Sequence, residues 1–576
     1  MDLFNIMLQF RKSPLCRWIC LIAVLYGCVF EFKAAEFDTA EVARVIEETL
    51  KCYNNPGLAV SVVVRGKTIF SRGFGVKDNE TKQPVTPDSL FGIASVSKSF
   101  AATLLVKLLY EETELTVDSR VQELLGERFR LMDEFRTKEA TFADLMGHRM
   151  AIPANNRLRF DSNLTRQSLL ERLPLLPSND QFRVQHSYSN LFYGLVTYLA
   201  EVIGEDTWEN LLTNHLLKPL GMDNTTFATT ANLKSMPNLA TGYIEFRNEL
   251  LPVHPEFSRK WGLLAGSGAV MSTANDMTKW MNFHLREGRA DDGKRIMASD
   301  HVEEVHKARS LTSFSSSLEL RQPQFPIMTT QSVYAHGFRR GYYRGYERLV
   351  HSGSTLGYKA LMSLLPAAQI GVFTAMTGVD TNYVYRSSLH YFLTDWALGL
   401  SESWLNATTI CSFPEPWRRA SRKPRPMRLD PSWKPALNIS LFEGTYQNKA
   451  YGYLHVRYNE SLETLTLDYG WGRWQLFYTP LSSSNDSTHR FYGKGIDITA
   501  INLFPMYFVQ DSRGSEDVIV GMRATAFESK LPPVFVKLGM TKEAAVTVPD
   551  SATRFCITTH VFLLLFLIGL HLEIIF

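Results

Sequence analysis

Strand-like segments lie at both ends of the first 380 residues of the chain, and mostly helical patterning separates them. The segment 57–74 is rich in β-branched residues on either side of a glycine-containing turn, which predicts a two-stranded hairpin. Strand-like runs return at 348–351, 360–365 and 370–376, after a stretch from 116 to 281 with apolar residues mostly at helical spacing. A sheet built from these segments joins distant parts of the chain, so the sequence predicts a long-range fold of strands and helices.

Composition and charge exclude several classes of protein. The 576 residues carry 61 Lys and Arg against 58 Asp and Glu, and this formal charge of +3 argues against a nucleic-acid partner. A hydrophobic fraction of 45% and a charged fraction of 21% supply a large core, which excludes a disordered or fibrous chain. The 6 cysteines are too few for a disulfide-built scaffold and include no CxxC pair for zinc. We therefore expect two or three globular units.

The N-terminus has the features of a secretory signal. Basic residues precede an apolar run at 18–30, which is too short to span a bilayer comfortably. We assign residues 1–35 to a signal peptide, although Lys33 stands where a small residue is preferred before a cut after Ala35. An uncleaved signal anchor is the alternative.

The C-terminus carries a second apolar run, at 561–576, with no basic tail after it. Glu573 would lie inside the bilayer if this run crossed it, which weakens a transmembrane interpretation. Small residues at 551–553, a spacer and the terminal run match the layout of a glycolipid (GPI) anchor signal. Residues 541–576 are therefore predicted to be an anchor signal that tethers an extracellular protein to the cell-surface membrane; a single transmembrane helix is the alternative.

Two further features suit an exported protein. Only Cys52 and Cys411 remain once both terminal segments are removed, and they form either one disulfide or two unpaired buried thiols. The sequence also contains 7 Asn-x-Ser/Thr sites, which favour a glycosylated surface. These sites are Asn79, Asn163, Asn224, Asn406, Asn438, Asn459 and Asn485.

The composition changes after residue 403, where the first large unit (36–403) is predicted to end. Prolines interleave with arginines and lysines within 404–437, which predicts an exposed linker. Residues 438–540 then alternate aromatic or branched residues with polar ones in short runs, as in a small all-β, barrel-like domain. Three aromatic side chains of this domain are expected to pack in its core rather than line a ligand cavity: Trp471, Trp474 and Phe477.

The segment FGIASVSKSF, residues 91–100, contains the first candidate for chemistry. Its Ser-x-x-Lys spacing at the start of a predicted helix places Ser95 and Lys98 one turn apart on the same face. A serine hydroxyl needs a base to remove its proton, and a lysine amine helps only where burial or nearby cations lower its pKa. The motif alone is common by chance and favours an ordinary helix cap over a catalytic site.

Two more segments strengthen the interpretation. Tyr188 and Asn190 open another apolar helix and offer a phenol that can act as a base and an amide that can orient the lysine or the substrate. His351 and Gly353 end a strand, where the imidazole supplies a polar or cationic edge and the glycine allows close approach by a ligand. Each segment alone is unremarkable, but in this order they form a coherent catalytic set.

These segments resemble the serine β-lactamase and penicillin-binding-protein superfamily, in particular its class C β-lactamase-related branch, which also contains esterases and D-amino-acid peptidases. The resemblance runs from about Gly57 to Asp380 and implies an α+β fold, with an antiparallel sheet flanked by helices and an all-helical region. It rests on PDSLFGIASVSKSF (87–100), YSNLFYGLVTYLAEVIG (188–204), KPLGMDNTTF (218–227), AGSGAVMSTANDMTKWM (265–281) and HSGSTLGY (351–358). The domain at 438–540 resembles the lipocalin-like domain that follows the catalytic domain in some relatives.

The resemblance implies roles for individual residues. Ser95 would be the acylated nucleophile, Lys98 its activating partner, and Tyr188 the general base and later the acid. The substrate would be a small-molecule or peptide-like acyl compound, and neither a cofactor nor a metal is implied.

Substrate binding would fall to Asn190 and to the segment His351–Ser354, including Gly353, with Ser354 giving its backbone N–H to an oxyanion hole together with that of Ser95. Two departures from the family pattern stand out. Met150 and Ala151 occupy positions where a small residue and a glycine are usual, so the loop beside the site is expected to be reshaped. His351 replaces the lysine of many relatives and favours an esterase-like or peptidase-like protein.

Two rival interpretations remain. A catalytically inactive relative would keep the fold as a cell-surface binding module, and a self-assembling relative would have a structural role; the sequence leaves the oligomeric state open. His301 and His306 are five residues apart, which points them to different sides of a helix and argues against a metal pair.

Overall fold

The computed structural model describes residues 37–179, 181–246, 249–312, 319–401, 403–419, 429–481, 487–499, 501–511 and 517–540. The predicted signal peptide, the predicted anchor signal and the sequon at Asn485 lie outside the described residues. Within these ranges, the longest apolar helices fall short of what a bilayer crossing requires.

The strands follow in chain order. They are β1 (Gly57–Val64), β2 (Lys67–Gly75), β3 (Phe91–Gly92), β4 (Thr226–Phe227), β5 (Tyr243–Phe246), β6 (Glu249–Pro252), β7 (Val270–Ser272), β8 (Ser310–Leu311), β9 (Val333–Tyr334), β10 (Arg339–Tyr343), β11 (Tyr346–Thr355), β12 (Tyr358–Leu365), β13 (Ile370–Thr377), β14 (Gly444–Asn448), β15 (Gly452–Asn459), β16 (Thr464–Tyr469), β17 (Gly472–Tyr478), β18 (Thr488–Gly495), β19 (Leu503–Asp511), β20 (Val518–Arg523) and β21 (Val534–Lys537).

The α-helices are fewer than the strands, and several are only one turn or slightly longer. They are α1 (Thr39–Cys52), α2 (Ser97–Glu112), α3 (Val121–Leu125), α4 (Glu134–Glu139), α5 (Phe142–Met146), α6 (Asn190–Gly204), α7 (Trp208–Leu212), α8 (Glu256–Arg259), α9 (Ala265–Gly268), α10 (Ala274–Leu285), α11 (Ser299–His306), α12 (Val384–Ala397) and α13 (Ala407–Ser412).

The first domain is built on an antiparallel sheet with the strand order β2-β1-β13-β12-β11-β10-β9-β8. The N-terminal hairpin joins strands from the far end of the domain's sequence through the pairing of β1 with β13, in which Val60 lies opposite Thr374. The predictions of a hairpin at 57–74, of strands near 348–376 and of an α+β fold are therefore confirmed.

Helices cover both faces of this sheet. Successive residues of β1 point to opposite faces, so Val60 and Val62 pack with α1 and α12, whereas Ala59 and Val63 belong to the core shared with α2, α6 and α10. Because both faces are covered, seven of the eight β1 residues are buried, which explains its nearly continuous apolar sequence.

A disulfide joins Cys52, at the end of α1, to Cys411 in α13. Of the two alternatives for these cysteines, the disulfide is therefore confirmed, and the prediction of two unpaired buried thiols is wrong. The bridge connects positions 359 residues apart in the sequence.

The first part of the predicted linker is packed, not exposed. Leu405, Ile410 and Phe413 are buried against the α1–α12 side of the sheet, and α13 forms within this segment. The prediction of a linker over 404–437 is wrong for 404–413, because a composition average over the prolines and arginines hides these apolar residues.

The C-terminal domain is a closed eight-stranded antiparallel barrel, β14 to β21, in which each strand pairs with the next and β21 pairs with β14. This confirms the predicted barrel; its lipocalin-like kinship stays a prediction. Trp474 is fully buried in the barrel and donates a hydrogen bond to the Ile501 carbonyl at 2.7 Å. Phe477 is half-buried and lies on the opposite face of β17 from the buried Trp474 and Leu476, so its expected place in the barrel core is wrong.

The barrel packs directly on the first domain. The ring of Trp471 stacks on that of Phe160 with centroids 3.9 Å apart, and its Nε1 donates to the Arg159 carbonyl at 2.9 Å. A Cβ at Gly470 would lie 1.7 Å from the Phe160 carbonyl oxygen, so this contact requires glycine. Trp471 is thus an interface residue, and its expected place in the barrel core is wrong.

None of the described sequons is buried. Asn163, Asn224, Asn406 and Asn438 are exposed, and Asn79 and Asn459 are half-buried. Glycosylation at these sites stays a prediction, and the exposed positions are sterically suited to it.

A buried carboxylate on α5 holds the loop that follows this helix. Asp144 is fully buried and accepts hydrogen bonds from Nε of Arg149 at 2.7 Å and from Nη2 of Arg183 at 2.7 Å. Burial raises its pKa, but the hydrogen bonds from Arg183 and the charge of Arg149 outweigh burial, and the net pKa is below its usual value.

We predict that Asp144→Asn destabilises the protein at neutral pH by about 2 kcal/mol, because two partly exposed arginines lose their charged acceptor. The native state depresses this pKa, so the carboxylate stabilises the fold above about pH 4 and loses this effect as the pH falls. Urea unfolding at pH 7 and pH 3 should show the difference from wild type shrinking in acid. Asp118→Asn, which removes an exposed partner of Arg309, is the control and should change little at either pH.

Candidate active site

Ser95 lies in a tight turn immediately before α2. The turn is a 3-10 helix, Ala94–Val96, and Ser95 is the one residue of 91–100 that is not buried. Ala94 has φ +46°, a left-handed conformation that costs a non-glycine residue energy. The strained turn presents the Ser95 hydroxyl at the surface while its neighbours stay in the core.

Lys98 is fully buried beneath Ser95. Its Nζ donates to Ser95 Oγ at 3.2 Å, to Asn190 Oδ1 at 2.7 Å and to the Ser267 carbonyl at 2.9 Å. These acceptors satisfy the three N–H groups of an ammonium, but none of them is charged. Burial without a counter-charge holds the pKa of Lys98 well below its usual value.

Tyr188 approaches the same hydroxyl from another direction. Its phenol hydrogen-bonds with Ser95, and its ring centroid lies 4.8 Å from Lys98 Nζ. Burial raises the pKa of Tyr188 well above its usual value, and the Ser95 hydrogen bond offsets this only in part. The resting side chain is therefore a neutral phenol.

Asn190, the first residue of α6, has its amide fixed at both ends. Its Oδ1 accepts from Lys98, and its Nδ2 donates to Asn156 Oδ1 at 2.9 Å. Because an amide has a donor end and an acceptor end, the Asn156 contact determines that the oxygen faces the lysine.

His351 lies on β11 and is buried. Its Nδ1 pairs with the Ser352 carbonyl at 2.8 Å, so Nδ1 carries the proton and Nε2 accepts from the Tyr334 hydroxyl at 2.9 Å. Burial and the nearby charge of Lys98 lower the pKa of His351 well below its usual value. The sequence left a polar or a cationic edge open, and a buried imidazole with both ring nitrogens hydrogen-bonded to protein atoms favours the polar one.

Gly353 and Ser354 lie on the part of β11 that faces the Ser95 turn. The pairing of β10 with β11 stops at Val350, so this side of residues 351–355 has no strand neighbour among the described residues. A Cβ at Gly353 would lie 2.1 Å from the Ile93 carbonyl oxygen, so only glycine permits this approach.

Arg386, on α12, holds this part of the strand from behind. Its buried guanidinium donates to the Gly353 carbonyl, to Ser354 Oγ at 2.9 Å and to Asp380 Oδ2 at 2.6 Å. The Ser354 side chain is thus tethered to the scaffold, which leaves its backbone as the group available to a ligand.

Aromatic and imidazole rings form the wall beside Tyr188. The fully buried His148 has its ring centroid 4.4 Å from that of Tyr188 and 4.7 Å from that of Tyr334, and its Nδ1 accepts from the Ser189 N–H at 3.1 Å. Arg339 Cζ lies 5.8 Å from the Tyr334 centroid and is the half-exposed cation of this region.

The loop that carries His148 keeps a glycine-like backbone. Ala151 has φ +56°, the left-handed conformation in which glycine is usual among relatives. Ala151 adopts this strained conformation despite its Cβ, and the expected reshaping of the loop stays a prediction.

The structure brings Ser95, Lys98, Tyr188 and Asn190 into contact and places the His351–Ser354 segment beside them. Sequence reasoning missed five residues that hold this arrangement: His148, Asn156, Ser267, Tyr334 and Arg386. Ser267 lies within a segment that carries the family resemblance, and His148 lies in the loop where Met150 and Ala151 depart from the family pattern, whereas the other three lie outside any recognisable pattern.

The two histidines considered for a metal pair are separated. His306 Nε2 lies 3.0 Å from His284 Nδ1, whereas His301 packs against Tyr110. In the described part of the chain, three or more His, Cys, Asp and Glu side chains are nowhere grouped to hold a metal ion.

We predict that Gly353→Ala lowers the free energy of unfolding by about 1–3 kcal/mol, because the added methyl group forces β11 away from the Ile93 carbonyl. Gly262→Ala is the matched control, since a Cβ there meets no atom within 4 Å. Urea denaturation of both variants tests this, and equal stability of the two would show that β11 can move freely from the Ser95 turn.

Comparison with known proteins places this site in a family. The Beta-lactamase family model matches residues 42–388. Gigasin-6 of Magallana gigas is 36% identical over 234 residues, which cover 40% of this chain and 77% of that protein. Unguisins hydrolase ungD of Aspergillus violaceofuscus is 25% identical over 443 residues, covering 72% of this chain and 75% of that protein.

A solved structure extends the likeness in fold. The octameric penicillin-binding protein homologue from Pyrococcus abyssi aligns with a TM-score of 0.51 at 19% identity, over 86% of this chain and all of that one. Its sequence identity is too low to bear on activity. With the family model spanning the whole segment from α1 to α12, the chain belongs to the Beta-lactamase family.

Proposed function

We propose that the protein is a serine hydrolase that cleaves an ester, amide or peptide bond through an acyl-enzyme on Ser95. One observation carries the proposal: the partly exposed hydroxyl of Ser95 contacts both a buried amine, that of Lys98, and a buried phenol, that of Tyr188. This arrangement supplies a nucleophile and two groups that can move its proton.

In the first step, the neutral form of Lys98 accepts the Ser95 proton as Oγ attacks the carbonyl carbon. Burial lowers the pKa of Lys98 and thereby favours that neutral form. The family resemblance implies Tyr188 as the general base. We assign this role to Lys98 instead, because burial disfavours a resting phenolate on Tyr188.

In the second step, the Tyr188 phenol gives its proton to the leaving oxygen or nitrogen and receives one from the Lys98 ammonium. The carbon–leaving-group bond breaks, the acyl group stays on Oγ, and the net proton transfer is from Ser95 to the leaving group. Water then attacks the acyl carbon and gives one proton to the Lys98–Tyr188 pair, the bond from that carbon to Oγ breaks, and the pair passes the proton to Oγ, which releases the acid and restores Ser95.

The negative charge on the carbonyl oxygen is assigned to the backbone N–H groups of Ser95 and Ser354. The unpaired side of β11 and the close approach of Gly353 to the Ser95 turn support this pairing. The substrate is proposed to be a small-molecule or peptide-like acyl compound. Neither step needs a metal or an organic cofactor.

The relatives support a hydrolase, since unguisins hydrolase ungD shares 25% identity over most of both chains. The alternative is an inactive binding protein with the same fold. The satisfied contacts of Lys98 with Ser95 and Asn190 favour the enzyme, because a relative that has lost activity has no need of this buried amine.

We predict that Ser95→Ala lowers hydrolysis of an ester panel by at least about a thousandfold with the fold intact, and that Tyr188→Phe costs about a hundredfold or more, since such groups act as a unit. Covalent labelling by a fluorophosphonate, located at Ser95 by mass spectrometry, measures whether the Ser95 hydroxyl is nucleophilic. Tyr198→Phe, a tyrosine on α6 outside the site, is the control. Unchanged turnover in Ser95→Ala would overturn the mechanism, and an unlabelled wild type would favour the binding protein.

We also propose that the protein acts outside the cell, held at the surface by its C-terminal segment. The exposed sequons support this location. We expect phosphatidylinositol-specific phospholipase C to release the protein from intact cells, as a GPI anchor requires. Retention after treatment, with a known GPI-anchored protein released in parallel, would contradict the anchor and favour a transmembrane helix.

A further inference from the structure

The barrel contacts the wall of the active site through one short segment of the catalytic domain, the 3-10 helix Asn156–Phe160 and the residue before it, Asn155. At the far end of this segment, Trp471 stacks on Phe160. At its near end, the Tyr451 hydroxyl donates to Asn155 Oδ1 at 2.7 Å. Both ends of the segment are therefore held by barrel residues.

Asn155 has a conformation that needs such support. Its φ is +47°, a left-handed conformation that asparagine tolerates but that still costs energy. Besides the contact with Tyr451, its backbone N–H donates to Oε2 of Glu528 in the barrel at 3.2 Å, and its own amide donates to the Pro153 carbonyl at 2.7 Å. Two of these three hydrogen bonds come from the barrel.

The next residue, Asn156, is connected to Lys98 through two successive hydrogen bonds. Asn156 Oδ1 accepts from Asn190 Nδ2 at 2.9 Å, and Asn190 Oδ1 accepts from Lys98 Nζ at 2.7 Å. Tyr451 and Asn155 thus determine where Asn156 lies, and Asn156 determines which end of the Asn190 amide faces Lys98.

We propose that Tyr451 of the barrel is a positioning residue for Lys98, acting through Asn155, Asn156 and Asn190. The inference rests on the proposed function, because it concerns the amine that activates Ser95. It makes the barrel an integral part of the active site. A barrel that only bound ligands would not need to hold the residue next to Asn156.

The test uses the full-length ectodomain and a fluorophosphonate probe, with the rate of Ser95 labelling as the readout. Tyr451→Phe removes only the hydroxyl, and we expect labelling to slow about three- to tenfold, the effect of one hydrogen bond. Glu528→Ala removes the other barrel contact of Asn155 from a half-buried position and should slow labelling in the same direction.

Tyr446→Phe is the matched control. Tyr446 is also buried in the barrel, but its hydroxyl donates to the Phe442 carbonyl at 2.7 Å, within the barrel itself. It should affect barrel stability as Tyr451→Phe does and leave the labelling rate at the wild-type value.

A double-mutant cycle distinguishes positioning of Lys98 through Asn156 from a general loss of stability. If Tyr451 acts through Asn156, then Asn156→Ala combined with Tyr451→Phe should label no more slowly than Asn156→Ala alone, because the route to Lys98 is already broken. The acid limb of the labelling rate should also move to lower pH in Tyr451→Phe, since a less firmly held acceptor stabilises the ammonium less.

The outcomes are distinct. Slower labelling in Tyr451→Phe with a non-additive cycle supports the proposal. Wild-type labelling in Tyr451→Phe, additive effects, or equal slowing in Tyr446→Phe overturns it while leaving the hydrolase intact. No labelling of the wild-type protein at all overturns the proposed function and, with it, the positioning role.

Discussion

The whole site depends on a lysine amine buried without a counter-charge. In its ammonium form, Lys98 donates three N–H groups to three neutral oxygens, from Ser95, Asn190 and Ser267, and in its neutral form it can instead accept the hydrogen bond of the Ser95 hydroxyl. An ionised carboxylate among them would keep the amine protonated and unable to accept a proton near neutral pH. The surrounding fold therefore has to supply uncharged acceptors at fixed positions and exclude water. Burying the amine in this way costs free energy unless every N–H group has an acceptor.

The fixed positions come from elements that are far apart in the sequence. Ser95 precedes α2, Asn190 begins α6, the Ser267 carbonyl belongs to α9, and β11 closes the opposite side. Arg386 reaches through from α12 to the carbonyl of Gly353 and thereby ties the rear helix layer to the site. The geometry of the reacting groups is thus a property of the packed domain, since no single segment contains it.

Much of the fold and part of the site could be predicted from sequence. Buried strands and the helix after Ser95 have strong local patterns, and Ser95, Lys98, Tyr188 and Asn190 lie in recognisable short segments. Asn156, Tyr334 and Arg386 could not be found in this way, because an isolated polar residue has no periodicity and its role depends on what the tertiary fold places beside it. The packed start of the predicted linker was missed for a related reason, as a few apolar residues such as Ile410 were outweighed by the prolines and arginines that follow.

The Cys52–Cys411 bridge has a topological consequence. It turns the catalytic unit into a covalent ring, since the helix that enters the domain and the helix that leaves it are linked to each other. A single backbone cut in any loop between them opens the ring without separating the two pieces, and both remain attached to the chain that continues into the barrel. In surroundings rich in proteases, a nicked molecule would thus keep its parts in one covalent body, and the packed core could continue to hold them in place.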